Sequence, residues 1–556
     1  MIYEGEPESP HTVLDTLRQQ YFLDPSGKNA DHAANLVKTA VNAVVSSQGV
    51  GPTYPITELP PISQVIEGAE VPARMVSDPE AFLTKLPSFI QGAVRAGHPF
   101  MVKNIIPTAS LPALAVHYAV STLMANGVTG EDAAQILMAE IASASAISKL
   151  AGLDHTKSGG VFTFGGTGTN LYAIKIGLSK ALPEHHMTGI KEDVVVIESA
   201  PSHYSHRTAT DWLGIGQNNI IKVSSNRDQT TNLKELEESM RVAIESGKKI
   251  ACIVAVGGTT SNMGVDNIQR INEIREGLRT EYNLSYNPHL HVDSVLGWAY
   301  LNFRSYDFKT NPLDFKPQTL QQIQKIVDRV TTWKYADSFG VDFHKTGYVA
   351  YTSSMLIIKN RQDLMRLQRD GSTMTPLFHD DEAYNPGKFT LETSRSAANM
   401  LASWIALQTF GQEGYQSLLG HSLEMGTVFR EGIDNNIDKG LYIANQEYFG
   451  PDVFVRCYPV GTNSQVEYEI EMKDNRVLLK NNAYTSRFFQ WLSRSEQDFV
   501  SKTTAAIYTD TGASMVALRI YPLSPYITEH TAKQLIDGLA KAKMQFDAID
   551  KGVHLT

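Results

Sequence analysis

From Gly159 onward, short apolar stretches alternate with stretches whose apolar residues recur every three to four positions. The apolar stretches predict buried strands, and the periodic stretches predict amphipathic helices. The predicted strands cover residues 160–164, 193–198, 219–223, 250–256, 290–293, 335–343 and 348–358, and the predicted helices cover 169–181, 232–245 and 266–279. Strands separated by helices form a parallel sheet with helices on both faces. Ligands bind such a sheet at the carboxyl ends of its strands.

The flanking segments follow other patterns. Before the alternation, apolar residues at helical spacing predict helices over 12–21, 30–47, 79–96, 112–125 and 131–150. After it, the pattern predicts a helix over 395–410, strands over 453–460, 466–472 and 515–521, and a last helix over 531–548. We therefore predict an N-terminal helical segment (1–110) that packs on the core, a large domain (111–410) and a small α/β domain (411–556) with an antiparallel sheet. Residues 371–391 show no period, which is typical of a lid or a disordered segment.

Composition narrows the class of protein. The net charge of −10 over 556 residues argues against broad contact with a nucleic-acid backbone. Cys252 and Cys457 lie in apolar runs, so we expect neither a disulfide framework nor a cysteine metal site. The first residues lack the pattern of a signal peptide, and the apolar stretch 111–128 contains His117, which favours a buried helix over a membrane span. We expect a cytoplasmic protein that binds neither nucleic acid nor membrane.

A glycine-rich loop, GGTGTN at 165–170, joins the first predicted strand of the alternation to its helix. Glycines let a ligand approach the backbone, and the start of a helix offers free N–H groups and positive charge, so the loop suits a phosphate. It lacks the Gly-Lys-Ser/Thr of a Walker loop and the third glycine of a dinucleotide site. Taken alone, the loop also fits an ordinary turn between a strand and a helix.

Lys345 lies between the last two predicted strands and directly follows His344. With its usual pKa of about 10.4, a lysine is a poor nucleophile at neutral pH. Burial lowers that pKa and allows the amine to form an imine with a carbonyl group. The alternative is a lysine that reaches the solvent.

Three further strand ends carry polar groups. SHYS (202–205) contains His203, GGTT (257–260) contains Thr260, and HLHVD (289–293) ends at Asp293. Each also has an ordinary explanation: an exposed histidine, a turn, or hydrogen-bonded histidines at a strand edge. Because alternate residues of a strand share one face, His289, His291 and Asp293 also permit a metal site. A single ligand would explain the polar groups at all of these strand ends: a pyridine ring that carries a phosphate and an aldehyde.

The ordered motifs GGTGTN (165–170), SHYS (202–205), GGTT (257–260), HVDS (291–294) and DFHK (342–345) resemble the group II pyridoxal-phosphate-dependent decarboxylases. That family includes the glutamate and aromatic-amino-acid decarboxylases, and the similarity runs from about residue 90 to 410 and more weakly to the end of the chain. The resemblance implies fold type I, with a mainly parallel seven-stranded sheet flanked by helices in the large domain and a smaller α/β domain at the C-terminus. It also implies pyridoxal 5'-phosphate as the cofactor and a homodimer with its active site at the interface.

The resemblance also implies roles for individual residues. Lys345 resembles the lysine that forms the Schiff base, Asp293 the partner of the pyridinium nitrogen, and His203 the ring that stacks on the cofactor. Gly166 and Thr167 resemble the phosphate contacts, and Thr260 the residue that supports the site near the cofactor ring. His344 would lie beside the cofactor, and Arg519 would bind the substrate carboxylate. A bidentate guanidinium suits a carboxylate, although Arg519 also fits a strand edge.

Some positions depart from the family pattern. Thr346 stands where a bulky apolar residue is usual, and Ser294 and Val295 replace small alanines. Residues 371–391 should hold the tyrosine that protonates the intermediate, but Pro376-Leu-Phe378 occupies its place, and Tyr384 and His379 are the remaining donors.

We therefore predict decarboxylation of an L-amino acid to an amine and CO2. The alternatives are an aldehyde-forming or other carbon–carbon lyase of the same fold, a metal-dependent hydrolase built on His289, His291 and Asp293, and a catalytically silent binding protein.

Overall fold

The computed structural model describes residues 10–57, 59–75, 78–103, 105–258, 263–369, 374, 384–494 and 504–553. The chain forms two compact units, Met1–Met101 and Val102–Thr556. Its strands are β1 Gly159–Thr163, β2 Val194–Ser199, β3 Ile220–Val223, β4 Lys249–Val256, β5 His289–Asp293, β6 Ser338–Asp342, β7 Ser354–Ile358, β8 Leu441–Ile443, β9 Val453–Cys457, β10 Thr504–Tyr508 and β11 Ser514–Ile520. Its α-helices are α1 Pro10–Gln20, α2 Ala30–Ser46, α3 Ile62–Glu67, α4 Pro79–Leu83, α5 Leu86–Phe89, α6 Leu111–Ser121, α7 Gly130–Ala151, α8 Gly166–Ala181, α9 His185–Thr188, α10 Ser205–Trp212, α11 Leu233–Glu245, α12 Ile268–Glu281, α13 Pro317–Val330, α14 Ala398–Asp434, α15 Ser464–Glu471, α16 Asn475–Arg494 and α17 Glu529–Val553.

The first unit consists of short helices and loops. Helices α2 to α5 contain no buried side chain. The Arg95 guanidinium donates hydrogen bonds to the carbonyl oxygens of Gly49 and Gly51 and so fixes the loop that follows α2. The helix predicted over 79–96 is wrong in extent, because only α4 and α5 form there. Gly92 then takes a positive φ of 72°, and Val94 pairs with Thr53 in an isolated bridge.

The second unit contains a seven-stranded sheet in the order β1-β7-β6-β5-β4-β2-β3. Strands β6, β5, β4, β2 and β3 are parallel to one another, and β7 is antiparallel to both β6 and β1. The mainly parallel sheet predicted from the alternation is confirmed. Strand β7 runs the other way because a loop without a helix joins it to β6, and only antiparallel neighbours can be joined by so short a connection.

Helices cover the sheet at close range. Glycine at position 177 allows this for α8, because a Cβ atom there would lie 2.3 Å from the carbonyl oxygen of Ala251 on β4. Side-chain caps set the starts of two further helices: Asn232 accepts from the backbone N–H of Glu235 in α11, and Asn267 accepts from that of Arg270 in α12. Within the described ranges, no helix combines the length and apolar character needed to cross a bilayer.

A second, antiparallel sheet follows, with the order β10-β11-β9-β8. The strand predicted over 466–472 is wrong, since α15 occupies that stretch. The sequence VEYEIEM alternates like a strand, but the Asn463 side chain caps the helix at the N–H of Val466, and Tyr468 and Glu471, three residues apart, are both buried. Both sheets belong to the second unit, and the domain limits predicted at residues 110 and 410 stay predictions.

Candidate active site

The ends of neighbouring strands place the candidate residues at one edge of the large sheet. Val256 at the end of β4 lies opposite Asp293 at the end of β5. On the other side, Ser354 of β7 pairs with both Asp342 of β6 and Thr163 of β1. The glycine-rich loop after β1 and the lysine loop after β6 therefore lie at the same edge as Asp293.

Asp293 is buried, with 2% of its surface exposed, and its two oxygens have different surroundings. Oδ2 accepts from His206 Nε2 at 3.1 Å and from Asn170 Nδ2 at 3.5 Å. Oδ1 is buried and accepts no hydrogen bond from the described residues. Burial opposes the charge, but the hydrogen bond and charge of His206, helped by the charge of Lys345, hold the pKa of Asp293 below its usual range. An ionised carboxylate with one open oxygen fits a protonated pyridine nitrogen.

Lys345 is buried as well, with 7% of its surface exposed. Its Nζ lies 2.7 Å from Oδ2 of Asp342, which makes a buried ion pair. The other oxygen of Asp342 accepts from the Ser354 hydroxyl at 2.5 Å, and His344 Nε2 lies 3.4 Å from Oδ2. This carboxylate fixes the position of the Lys345 amine.

The two histidines of the site are held in neutral form. Burial lowers the pKa of His203 to about 4, and burial also lowers that of His344. His203 Nδ1 lies 2.8 Å from the Ser205 hydroxyl, and the His203 and Tyr204 rings are 4.2 Å apart. The His344 ring donates to the carbonyl of Ser353 at 2.8 Å. A neutral, oriented imidazole such as His203 can stack on a flat aromatic ring.

The glycine-rich loop has the backbone of an anion site. Gly165 adopts a φ of +116°, which favours glycine, and precedes the first turn of α8. The N–H groups of Gly168 and Thr169 donate to the Gly165 carbonyl, and the Thr169 hydroxyl donates to the carbonyl of Gly166. The N–H groups of Gly166 and Thr167 at the helix start are therefore the ones placed to bind a phosphate. The loop lies close to Asp342, since a Cβ atom on Gly166 would be 3.0 Å from its Oδ2.

His289 and His291 belong to a chain of hydrogen bonds whose directions are fixed by Lys180. A lysine only donates, so Lys180 Nζ donates to His289 Nδ1 at 3.1 Å, and His289 Nε2 then donates to the Ser338 hydroxyl at 2.8 Å. Ser338 donates to His291 Nδ1 at 2.8 Å, and His291 Nε2 donates to Asn170 Oδ1 at 3.0 Å. Both rings have each nitrogen occupied by a hydrogen bond. Across the described part of the chain, no group of three or more His, Cys, Asp or Glu side chains is arranged to hold a metal ion.

Comparison with known proteins gives the family. The model of the pyridoxal-dependent decarboxylase conserved domain matches residues 69–454. The chain belongs to the pyridoxal-dependent decarboxylase family. It is 22% identical over 414 residues to the L-2,4-diaminobutyrate decarboxylase of Acinetobacter baumannii, with 71% of each chain covered. It is 27% identical over 295 residues to the aspartate 1-decarboxylase of Aliivibrio fischeri, covering 50% of this chain and 48% of that one. The mouse CSAD crystal structure in apo form has the same fold, with a TM-score of 0.73 at 17% identity, covering 92% of this chain and 99% of that one.

These findings confirm the family, fold type I, the carboxy-lyase class and the pyridoxal phosphate cofactor that the motifs predicted. The residues fit that cofactor: the open Oδ1 of Asp293 suits its ring nitrogen, and the amine of Lys345 and the backbone of Gly166 lie at the same edge.

Three of the predicted site residues lie in other surroundings or outside the described residues. Arg519 is a buried residue of β11, with its guanidinium 5.3 Å from the centre of the Tyr521 ring. The Tyr384 hydroxyl donates to Glu140 Oε1 at 2.8 Å, and burial raises its pKa well above the usual value. Thr260 lies outside the described residues, as do Pro376, Phe378 and His379 of the unpatterned loop. The roles predicted for Arg519, Tyr384 and Thr260 stay predictions.

The sequence reasoning missed three residues that touch the predicted ones. His206 and Asn170 contact Asp293, and Asp342 contacts Lys345. All three lie in or beside quoted motifs, so their positions were visible. Their partners, however, lie on other strands and helices, and only the tertiary structure shows them.

Proposed function

We propose that the protein removes the carboxylate of an L-amino acid as CO2 and releases the corresponding amine. The observation that carries the proposal is the pair formed by Asp293, ionised with one open oxygen, and Lys345, a buried amine at the neighbouring strand end. When bound, pyridoxal phosphate supplies the electron sink for the pair of electrons left by the departing CO2. Asp293 keeps the negative charge that a protonated ring nitrogen requires, and the N–H groups of Gly166 and Thr167 bind the phosphate.

The remaining residues orient groups and hold protons. The neutral ring of His203 supports one face of the cofactor site. Asp342 Oδ2 lies 2.7 Å from Lys345 Nζ and orients this amine. After CO2 leaves, the substrate receives a proton from Lys345 or from a donor of the 371–391 segment, of which Tyr384 is the predicted one. Arg519 is proposed to bind the substrate carboxylate.

We also propose a homodimer with active sites at its interface. Helix α6 exposes apolar side chains, with Leu111 80% exposed and Leu114 41% exposed. Met124, three residues beyond α6, is 87% exposed. Exposed apolar side chains such as these are common at protein–protein interfaces. We also propose a cytoplasmic location, because both cysteines are buried free thiols.

The test combines the fate of the cofactor with the identity of the products. Borohydride reduction of the yellow holoenzyme should attach the cofactor to the peptide that contains Lys345. Lys345→Ala should abolish both the attachment and activity. Lys359→Ala, which removes an exposed lysine just after β7, is the matched control and should do neither. Amino acids are then screened for release of CO2 together with an amine.

Each outcome decides between the alternatives. An active Lys345→Ala variant that still binds the cofactor would refute the role of Lys345. Aldehyde and ammonia as products would identify the aldehyde-forming alternative. Activity without the cofactor that a chelator abolishes would identify the metal-dependent hydrolase.

A further inference from the structure

His206 joins two buried carboxylates. It lies in α10 with no exposed surface, and its Nδ1 is 2.8 Å from Oε2 of Glu198 at the end of β2. Its Nε2 is 3.1 Å from Oδ2 of Asp293 at the end of β5. An ionised carboxylate only accepts hydrogen bonds, so both ring nitrogens must donate, and an imidazole does this only in its protonated form.

We propose that His206 is a positioning residue that stays protonated between Glu198 and Asp293, and that it fixes both the negative charge of Asp293 and the oxygen that faces the cofactor. This inference rests on the proposed contact between Asp293 and the ring nitrogen of pyridoxal phosphate.

The contacts of Asp293 explain the choice of oxygen. His206 and Asn170 both donate to Oδ2, which leaves Oδ1 as the buried oxygen without a partner among the described residues. Of these two donors, His206 is the one that brings a positive charge to Oδ2. The Asn170 amide is neutral, and its contact is longer, at 3.5 Å.

The charges around the three residues support a protonated His206. Burial lowers the pKa of His206, but its hydrogen bonds to Asp293 and Glu198 outweigh burial and raise the pKa to about 9. Among the described residues, the other titratable groups that face the triad are His203, His291, Lys222, Lys345 and Tyr508. The two histidines are neutral, because burial lowers the pKa of His203 to about 4 and that of His291 to about 3. Lys222 places a second positive charge near Glu198, with Nζ 3.8 Å from Oε1.

The first test measures binding of pyridoxal 5'-phosphate to the full chain as a function of pH. In His206→Gln the buried Asp293 loses its cation, and burial without a partner raises a carboxyl pKa by about 3 to 5 units. Relative to wild type, cofactor affinity should therefore fall by about tenfold for each pH unit below that raised pKa. The control is His289→Gln, the same change at a fully buried histidine that does not touch Asp293, and its affinity ratio to wild type should not depend on pH.

The second test does not depend on cofactor binding. It can therefore be carried out even if the His206→Gln variant fails to fold. Unfolding of the wild type at pH 8 should release about one proton, because His206 is protonated in the folded chain and neutral in the unfolded chain. Glu198→Gln keeps the shape and an accepting oxygen but removes the charge, so its release should be smaller.

The results separate this inference from the proposed function. If Asp293→Asn leaves cofactor affinity unchanged, the proposed contact of Asp293 fails. If Asp293→Asn weakens binding while His206→Gln gives a loss independent of pH or none, the role of His206 fails. The absence of proton release at pH 8 in the wild type would overturn it as well.

Discussion

The buried histidines should make the protein sensitive to mild acid, and His289 and His291 allow the effect to be calculated. Both are fully buried on β5, and burial lowers the pKa of His291 to about 3 and that of His289 well below 6.5. In the unfolded chain each takes up a proton near pH 6.5. Their stabilising contribution is therefore fully present above pH 6.5 and is lost as the pH falls below it.

The size of this loss of stability depends mainly on the histidine pKa in the unfolded chain, because both rings stay neutral at pH 5 in the folded protein. Between pH 7.5 and 5.0, each histidine lowers the free energy of unfolding by about 2 kcal/mol, and the two together by about 4 kcal/mol. That is a large part of the roughly 5 to 15 kcal/mol that stabilises a typical protein. Denaturant unfolding at the two pH values, followed by the fluorescence of the buried Trp298 and Trp333, measures the loss.

The double variant His289→Gln/His291→Gln should lose about 4 kcal/mol less than the wild type over this pH range, whatever its stability at pH 7.5. Ser338→Ala is the control: it breaks the same chain of hydrogen bonds but removes no titratable group, so it should lower stability equally at both pH values. An unchanged pH dependence in the double variant would refute neutral, buried histidines at these positions.

Three further changes test other parts of the structure. Gly165→Ala places a side chain at a φ of +116° and should lower the free energy of unfolding by about 1 to 3 kcal/mol; an unchanged denaturation midpoint would contradict the strained backbone. Arg395→Ala leaves Glu140 buried without its cation and should cost about 3 to 5 kcal/mol in thermal or chemical unfolding. Arg456→Ala should lower the free energy of unfolding by the same amount, because Arg456 and Glu471 form a fully buried ion pair. Replacing both residues by apolar residues of similar size should lower the free energy of unfolding less. An equal loss in the single and double variants would argue against an uncompensated charge as the cause.

The parallel core of the fold could be predicted because its strands are buried on both faces. Strands β2 and β4 are mainly apolar runs, and β2, β4 and β5 all end within a residue or two of their predicted limits. Polar residues directly after such runs point to the edge where ligands bind. The same rule places Asp293 and Lys345 at one edge from the amino-acid sequence alone.

The region of the antiparallel sheet was harder to predict because its elements depend on distant contacts. The stretch 464–471 alternates like a strand, yet it forms α15, since Glu471 must reach the buried guanidinium of Arg456 on β9. Strand β8 has only three residues. A pattern over so few residues does not separate a strand from a loop.

The chemistry of the site shows where residue type ceases to be informative. Asp293 and Asp342 are the same residue, both buried, at the ends of the adjacent strands β5 and β6. Asp293 pairs with His206, a cation fixed by a second carboxylate, so its charge persists while its other oxygen stays open. Asp342 pairs with Lys345, whose amine leaves the carboxylate in the reaction that we propose. The motifs identify two buried aspartates, but they do not show how the two differ. The partner of each carboxylate, which only the tertiary structure shows, determines whether its charge is permanent or exchangeable.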